Sequence, residues 1–282
     1  MRVVFSECPP NYNAYLSPYQ IWGFPEEGES VATALALGML PGNREMTRFY
    51  LARSIRITIS RYAETTAVRR VRKRCAHLRH RLDPRAEVDV SGPLTDMCLR
   101  YMNESRAWAT RRGTGLTAAD LLARLDSPTA THLLTVTDPA TGLPAGLVML
   151  HLEPPAGFYA MAWLDEAYRS VYLGKYLKIL AIEEAARAGL THLYVGTCYS
   201  EGALYKTEFP GMEFFDGTGW SDDRHRLRLL LREQDRLADR HLFEHPAFLA
   251  ESPPPGPGDA QLRLSPAAAP GPPGADDQKH HS

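Results

Sequence analysis

The chain has 282 residues, a hydrophobic content of 44% and a formal net charge of −1, values that are ordinary for a globular protein. No apolar run approaches the roughly 18 residues of a membrane span, and the N-terminus lacks the apolar core of a signal peptide. We therefore expect a soluble, cytoplasmic protein that has no membrane partner.

The cysteines, Cys8, Cys75, Cys98 and Cys198, are widely spaced and include no CxxC pair, so neither a disulfide framework nor a metal site is predicted.

Composition and element pattern divide the chain into three parts. Residues 1–125 are expected to form an N-terminal region that contains a basic strand and a basic helix. Residues 126–245 are expected to form the domain that carries the chemistry. Residues 246–282 are dominated by Pro, Ala and Gly and hold few large apolar side chains, so they cannot offset the entropy of ordering and are expected to be a disordered tail.

Positive charge is concentrated in one segment. Residues 44–81 contain twelve Lys or Arg residues and two Glu residues, a formal charge of +10, which leaves −11 for the rest of the chain. A solvated charged surface usually mixes both signs, whereas this one repels itself unless it meets an anion. Nucleic acid is the expected partner, and a merely basic surface is the alternative. No base-reading motif is recognisable, so contacts to phosphates and shape are expected.

Two elements of this segment carry the charge. Ile55, Ile57 and Ile59 alternate with polar residues, which predicts a strand over residues 49–59 with one buried face and one basic face. Apolar residues at spacings of three and four predict a helix over residues 65–82 whose solvent face is basic. The residues expected to contact RNA are Arg53 and Arg56 on the strand, and Arg69, Arg70, Arg72 and Lys73 on the helix.

The second half of the chain indicates strands around one long helix. Three strands are predicted to form an antiparallel meander, and a short apolar run follows the helix after a brief loop, which is the pattern of a βαβ crossover. The fold class is therefore expected to be α+β, with a mixed sheet and covering helices. The predicted strands span residues 132–137, 145–152, 158–164 and 192–199, and the helix spans residues 173–188 and is closed by Gly189.

Further helices are signalled by their ends. Ser30 is a candidate cap for a helix over residues 30–37, and Thr117, with Asp120 three residues later, for a helix over residues 117–125. Helices are also predicted over residues 94–112 and 226–242.

The start of the long helix is a candidate ligand site. Backbone N–H groups there lack helical partners and the helix dipole adds positive charge, so Tyr172, Gly174 and Lys175 are candidates to hold a phosphate or a carbonyl oxygen. An ordinary helix start is the alternative. The succession of strands and helix resembles the GNAT (N-acetyltransferase) fold. The pyrophosphate signature of that fold is not met, because the segment from Arg169 to Gly174 has one intervening pair too many and lacks the second glycine.

A closer resemblance is to the arginyl-tRNA–protein transferase family, with its bacterial leucyl relatives. In that family a Leu-Gly-x-Tyr segment opens the helix, a Tyr-x-Gly strand follows, and the motif ends with Tyr-Lys, Phe and Pro. This chain has, in that order, Leu173-Gly174-Lys175-Tyr176, then Tyr194-Val195-Gly196, then Tyr205-Lys206-Thr207-Glu208-Phe209-Pro210-Gly211, and finally Asp216-Gly217-Thr218-Gly219-Trp220.

The resemblance implies an enzyme that moves an amino acid from charged tRNA to an amine, using a GNAT-like domain. Charged tRNA would be the co-substrate and no further cofactor would be needed. The acceptor would be a protein N-terminus or a small molecule. The family's N-terminal cysteine cluster is missing here, since only Cys8 could correspond to it, so no metal or iron–sulfur centre is expected.

An aminoacyl ester is already activated, so the enzyme needs only to align it with the amine, remove one proton and stabilise the oxyanion. Tyr205 and Lys206 are candidates to bind the terminal ribose or the developing charge. Glu208 or Asp165 is a candidate to accept the proton of the amine. The resemblance adds a set of substrate-binding candidates, Tyr172, Gly174, Lys175, Tyr176, Tyr194 and Trp220.

Two other functions remain open at this point. A coenzyme A-dependent N-acyltransferase would use Lys175 and the basic segment to hold the pyrophosphate of acyl-coenzyme A. An RNA-binding adaptor without catalysis would bind through the basic segment alone.

Overall fold

The computed structural model describes residues 21–104 and 116–234. These residues form a three-stranded sheet and an eight-stranded sheet, and helices lie in the connections between the strands. The strands are β1 (Trp22–Gly23), β2 (Met39–Pro41), β3 (Phe49–Leu51), β4 (Ser54–Thr58), β5 (Arg79–Pro84), β6 (His132–Asp138), β7 (Leu143–Glu153), β8 (Ala156–Leu164), β9 (His192–Thr197), β10 (Met212–Phe215) and β11 (Trp220–Ser221). The α-helices are α1 (Val31–Ala36), α2 (Thr66–Arg74), α3 (Gly92–Glu104), α4 (Ala118–Leu125), α5 (Leu173–Arg187) and α6 (Arg224–Gln234).

The large sheet has the strand order β11-β10-β4-β9-β8-β7-β6-β5. Its pairs are antiparallel except for β8 and β9, which run parallel. The meander β6-β7-β8, the long helix α5 and the parallel strand β9 follow one another as the sequence predicts. The prediction of an α+β fold with a mixed sheet and covering helices is therefore confirmed.

Helices cover both faces of the large sheet. On one face α5, α2 and α6 pack over Leu134, Val148 and Leu193 in the larger apolar cluster. On the other face α3 and α4 pack over Leu147 and Trp163. The central strand β7 is consequently buried over almost its whole length, as expected for a strand covered on both sides.

The long helix α5 starts and ends as the sequence predicts. Its buried residues lie on most of its circumference, which explains why its charged residues do not mark one clean solvent face. The helix ends at Arg187 and is closed by Gly189, whose φ of +71° is a left-handed conformation that glycine adopts without a steric penalty.

Both predicted helix caps are confirmed. The Oγ of Ser30 accepts a hydrogen bond from the backbone N–H of Ala32 at the start of α1. Thr117 and Asp120 form a reciprocal capping box at the start of α4, in which each side chain accepts from the backbone N–H of the other.

Of the strand predicted over residues 49–59, the part that contains Ile55 and Ile57 is observed as β4 with both side chains buried, but the residues before it form the separate strand β3. The chain turns between β3 and β4, where the N–H of Ser54 donates to the carbonyl of Ala52 at 2.7 Å. The Oγ of Ser54 also donates to the carbonyl of Gly38, which fixes this turn. β3 belongs to the small sheet and β4 to the middle of the large one, so the alternating pattern spans two strands of different sheets.

The prediction of a basic helix over residues 65–82 is right for its first half only. Helix α2 ends at Arg74, and the chain then turns into β5, which pairs with β6 from Arg79 to Pro84. β5 is the edge strand of the large sheet, and its first three residues are exposed on both sides. An exposed edge strand carries no apolar alternation, so the sequence pattern does not separate it from the helix.

Several predictions reach beyond the described residues. The helix predicted over residues 94–112 is observed as α3 up to Glu104, and the one over residues 226–242 as α6 up to Gln234. Cys8, the continuations of both helices and the predicted tail over residues 246–282 lie outside the described residues. The large sheet contains strands from both sides of the boundary proposed at residue 125. Within residues 21–104 and 116–234, every helix is too short or too polar to cross a bilayer.

Gly211 permits the close contact between β4 and the chain before β10. It has a φ of +77°, and an added Cβ would lie 2.5 Å from the carbonyl oxygen of Thr58. We expect Gly211→Ala to lower the free energy of unfolding by about 2 kcal/mol or more, because backbone strain and a backbone clash add. Gly219→Ala is the matched control, since no atom lies within 4 Å of its added Cβ. Equal urea midpoints for the two variants would contradict this prediction.

Candidate functional site

The two parallel strands of the large sheet separate towards their carboxyl ends. They pair only at the three positions Ala156↔His192, Gly157↔Leu193 and Phe158↔Tyr194. β8 nevertheless continues to Leu164 and β9 to Thr197. The residues of β8 beyond the last pair, Ala160, Met161 and Ala162, are half-buried although β8 is a central strand. An opening between neighbouring strands of a covered sheet is a place where a ligand can reach the core.

A buried lysine lies beside this opening. Lys178, in the second turn of α5, is 4% exposed. Its Nζ lies 4.5 Å from the ring centroid of Tyr159 on β8 and 4.7 Å from that of Tyr205. Burial, and after it the positive charge of Lys206, lowers the pKa of Lys178 to about 7. A substantial fraction of this amine is therefore uncharged near neutral pH.

The predicted pair Tyr205 and Lys206 lies at the same place. Both residues belong to a 3-10 turn, Glu201–Thr207, that follows β9. The Nζ of Lys206 donates to the carbonyl of Thr197, the last residue of β9, at 2.7 Å. Gly196, one residue earlier, has a φ of +92°, a backbone conformation that favours glycine. The structure thus brings Tyr205, Lys206 and Lys178 together.

The tyrosine and cysteine side chains of the site are held neutral. Burial, followed by the neighbouring hydroxyls of Tyr205 and Tyr101, raises the pKa of Tyr159 well above its ordinary value. Burial also raises the pKa of Tyr205 and that of the Cys198 thiol. Cys198 is therefore poorly suited to act as a nucleophile.

The two carboxylates predicted as proton acceptors are engaged in ion pairs. Glu208 pairs with Lys175 of α5, and this pair ties the end of the 3-10 turn to the start of the helix. Asp165, which follows β8, lies 3.4 Å from a guanidinium nitrogen of Arg100 and caps the next turn through the N–H of Ala167. Each carboxylate is therefore already in contact with a cation.

The start of α5 is exposed at Tyr172. Tyr172 adopts a left-handed conformation with a φ of +65°, is 53% exposed and forms no side-chain cap. The guanidinium of Arg74, from α2, lies 4.8 Å from its ring centroid. An added Cβ at Gly174 would make only an ordinary contact of 3.5 Å with Leu164. Tyr172, Gly174 and Lys175 therefore lie together, next to the basic helix.

Three of the predicted substrate-binding aromatic residues lie elsewhere. Tyr176 is 8% exposed and packs in the larger apolar cluster. Tyr194 is 1% exposed and packs on the face of the sheet opposite to the one that α5 covers. There the ring of Trp220 lies at a centroid distance of 5.6 Å from that of Tyr194. The indole N–H of Trp220 donates to the carbonyl of Ala36. The structure does not bring these three residues to Lys178 and Lys206, and their contacts are those of core packing.

Two predicted RNA contacts are contradicted by burial. Arg53 is fully buried and donates to the carbonyl of Cys198 and to the amide oxygen of Gln234, because the turn between β3 and β4 points it inwards. Arg56 has a side chain that is 14% exposed, pairs with Glu213 at 2.7 Å and lies 4.1 Å from the ring centroid of Trp220. The face of β4 that was expected to be basic is therefore covered.

The basic helix α2 keeps its predicted solvent face. Val68 and Val71 are buried against the sheet, while Arg69, Arg70 and Lys73 are exposed. Within residues 21–104 and 116–234, no ion pair is seen for any of these three cations. Arg72 differs, because it pairs with Glu64 and with Glu183 of α5 and so fixes α2 on the domain. The surface formed by Arg69, Arg70, Lys73 and Arg74 is called the basic surface below.

Lys178 and Tyr159 are not among the site residues predicted from the sequence. A signal for Lys178 was present, since it falls on one helical stripe with Ala181, Ile182 and Ala185, all of them buried. A lysine on a buried stripe is unusual and marks a candidate functional group. In the described part of the chain, no cluster of His, Cys, Asp and Glu is large enough to hold a metal ion.

No family model and no curated protein matches this chain. Among solved structures, it is similar to the C-terminal domain of a protein described as a lysylphosphatidylglycerol synthetase from Agrobacterium fabrum, with 10% identity, a TM-score of 0.40 and coverage of 66% of this chain and 52% of that one. It is also similar to L-PGS from Bacillus licheniformis, with 11% identity, a TM-score of 0.36 and coverage of 64% of this chain and 55% of that one. For FemX the identity is 10%, the TM-score is 0.40, and the match covers 58% of each chain.

The matches span little more than half the length of those chains. At this identity and geometric similarity, they carry no inference about what this chain binds or does. The resemblance to arginyl- and leucyl-tRNA–protein transferases stays a prediction.

Proposed function

We propose that this protein is an aminoacyl-tRNA-dependent transferase, which moves an amino acid from charged tRNA to an amine and forms an amide bond. The observation that carries the proposal is a pair of lysines where β8 and β9 separate: Lys178 lies over the rings of Tyr159 and Tyr205, and Lys206 donates to the carbonyl at the end of β9. Amide formation from an activated ester requires alignment, one proton transfer and stabilisation of an oxyanion, and it requires no covalent nucleophile or metal. The groups at this site match that short set of requirements.

In this proposal the aminoacyl ester lies in the opening between the two strands. The ammonium of Lys206, held at the end of β9, stabilises the negative charge that develops on the carbonyl oxygen. Tyr205, which is 46% exposed, supplies a hydroxyl and a ring face for the terminal ribose or base. Because Glu208 and Asp165 are ion-paired, neither is the favoured proton acceptor.

The basic surface supports the choice of an RNA-linked donor. Its last member, Arg74, lies over Tyr172 at the start of α5, and that point is about 9 Å along the helix axis from Lys178. Exposed cations that lead to a narrow opening are suited to a polyanion whose single-stranded end enters the site. The amino acid, the tRNA and the acceptor are left open in this proposal.

Coenzyme A-dependent acyl transfer is the second candidate. The observation that favours it is the uncapped start of α5, with Tyr172 in a left-handed conformation and Arg74 beside it. Against it, Lys175, the cation expected to hold the pyrophosphate, is paired with Glu208.

Thermal unfolding in the presence of ligands separates these candidates. The donor probe is a charged tRNA analogue in which an amide replaces the ester to the ribose, so that it binds without turnover. At saturating concentration we expect it to raise the unfolding temperature by about 5 °C or more, and to do so beyond the effect of uncharged tRNA. Stabilisation by acetyl-coenzyme A alone would favour the second candidate. Equal effects of charged and uncharged tRNA would indicate an RNA-binding adaptor and contradict the proposal.

A further inference from the structure

We infer that Lys178 is the group that accepts the proton of the attacking amine. The inference rests on the proposed function and assigns a step that neither sequence patterns nor the predicted carboxylates explain. It starts from the position of Lys178, which is buried on α5 with its Nζ between the rings of Tyr159 and Tyr205, at 4.5 and 4.7 Å from their centroids.

The contacts of Lys178 distinguish it from a structural lysine. A buried structural lysine is normally held by a carboxylate, because an unpaired ammonium is costly to bury. Among residues 21–104 and 116–234, the contacts found for its Nζ are the two ring faces. Burial favours the neutral amine, and the ring faces stabilise the ammonium that forms when a proton arrives. The surroundings therefore tolerate both states that a proton acceptor has to occupy.

The charges around Lys178 also favour its neutral form. Tyr159 on β8 and Tyr205 on the 3-10 turn have raised pKa values and are neutral at physiological pH, and so is the Cys198 thiol. Lys206 is the group whose positive charge acts on Lys178. One lysine of the pair is thus suited to stay an ammonium, and the other to be a neutral amine.

The step balances without a further reactant. The neutral acceptor nitrogen attacks the ester carbonyl carbon, a C–N bond forms, and the carbonyl oxygen becomes an oxyanion beside Lys206. The nitrogen of this adduct gives one proton to the Nζ of Lys178. The oxyanion collapses, the C–O bond to the ribose breaks, and the ribose oxygen receives the proton from Lys178. The products are an amide and a tRNA with a free terminal hydroxyl, and Lys178 is again neutral.

The test measures the rate of acceptor-dependent transfer from charged tRNA between pH 5.5 and 9, an interval of about 1.5 to 2 units on either side of the expected midpoint. The transfer rate of the wild type should rise with pH, and the midpoint of this rising limb of the pH profile should lie near pH 7. The midpoint should be the same for two acceptors whose amines differ in basicity. Lys206→Met removes the charge that disfavours protonation of Lys178, so the limb should move to higher pH by about half a unit or more. A purely structural Lys178 would not produce this shift.

Substitutions of Lys178 complete the test. Lys178→Arg keeps the charge but cannot lose it at physiological pH, and Lys178→Met removes the basic group, so both should lower the maximal rate by about 100-fold or more. Lys178→Met should unfold at a temperature at least as high as the wild type, because it removes a buried amine, and this result separates lost activity from lost fold.

Three outcomes would overturn the inference in an active wild-type enzyme. They are a limb that follows the basicity of the acceptor, a limb that does not move in Lys206→Met, and an Lys178→Arg variant that keeps a third or more of the wild-type rate. If the wild type transfers no amino acid from any charged tRNA, the proposed function itself has failed, and that result is distinguishable from the other three.

Discussion

Replacing Lys206 with Met should lower the maximal rate of aminoacyl transfer by about 100-fold or more, with a much smaller change in the affinity for charged tRNA. The ammonium of Lys206 is held against the end of β9 by its hydrogen bond to the carbonyl of Thr197. A donor fixed in this way costs little reorganisation when negative charge develops, and removal of one such donor typically costs about 10²–10³ in rate. Single-turnover kinetics at saturating enzyme measure the effect on the chemical step.

Two variants serve as controls for this prediction. Lys206→Arg keeps a positive charge at the end of a side chain of similar length, so it should retain more activity than Lys206→Met. Tyr205→Phe keeps the ring over Lys178 and removes only the hydroxyl, so it reports what the phenol contributes. A rate for Lys206→Met within threefold of the wild type, with the fold intact, would show that Lys206 does not stabilise the transition state.

Neutralising Arg69, Arg70 and Lys73 together should weaken the binding of tRNA by about tenfold or more at low salt. These side chains are exposed on α2, and each phosphate contact they make releases a counterion, so the slope of log K against log salt should become shallower by about 2. Arg72 is left unchanged because its ion pairs with Glu64 and Glu183 hold α2 in place. Filter binding of uncharged tRNA over a salt series measures both quantities.

The matched control neutralises Arg224, Arg228 and Arg232, which are exposed on α6 and change the net charge of the protein by the same amount. It should leave both the affinity and the salt slope near their wild-type values. If the two triple variants lose affinity equally, binding responds to the net charge of the protein, and the basic surface is not a specific tRNA contact.

Local signals predicted much of this fold. The cap residues Ser30 and Thr117 and the end of α5 at Gly189 follow from chemistry within a few residues, and each is found as predicted. The strand predicted over residues 49–59 is right around Ile55 and Ile57 and wrong at its start, because the sequence pattern holds no information about which sheet each of β3 and β4 joins. The same limit applies to β5, which the periodicity does not separate from the basic helix.

The site was predictable only where its residues are close in sequence. Tyr205 and Lys206 are neighbours within a motif, and they lie at the opening between β8 and β9. Lys178 comes from a helix almost thirty residues earlier, and its role becomes visible only when the 3-10 turn Glu201–Thr207 is placed across it. Arg53 shows the converse, because it looks like a phosphate contact in a basic segment and is fully buried by a turn that the pattern does not signal.

Transfer of a labelled amino acid from charged tRNA tests the central claim most directly. The purified protein is incubated with a full set of charged tRNAs carrying labelled amino acids, together with peptide and small-molecule amines, and the label leaving the tRNA is measured with and without acceptor. We expect at least one charged tRNA to lose its label in an acceptor-dependent way, into an amide product, and we expect Lys206→Met to slow this loss by about 100-fold or more. The absence of acceptor-dependent loss from every charged tRNA, with a folded protein that binds tRNA, would contradict the claim.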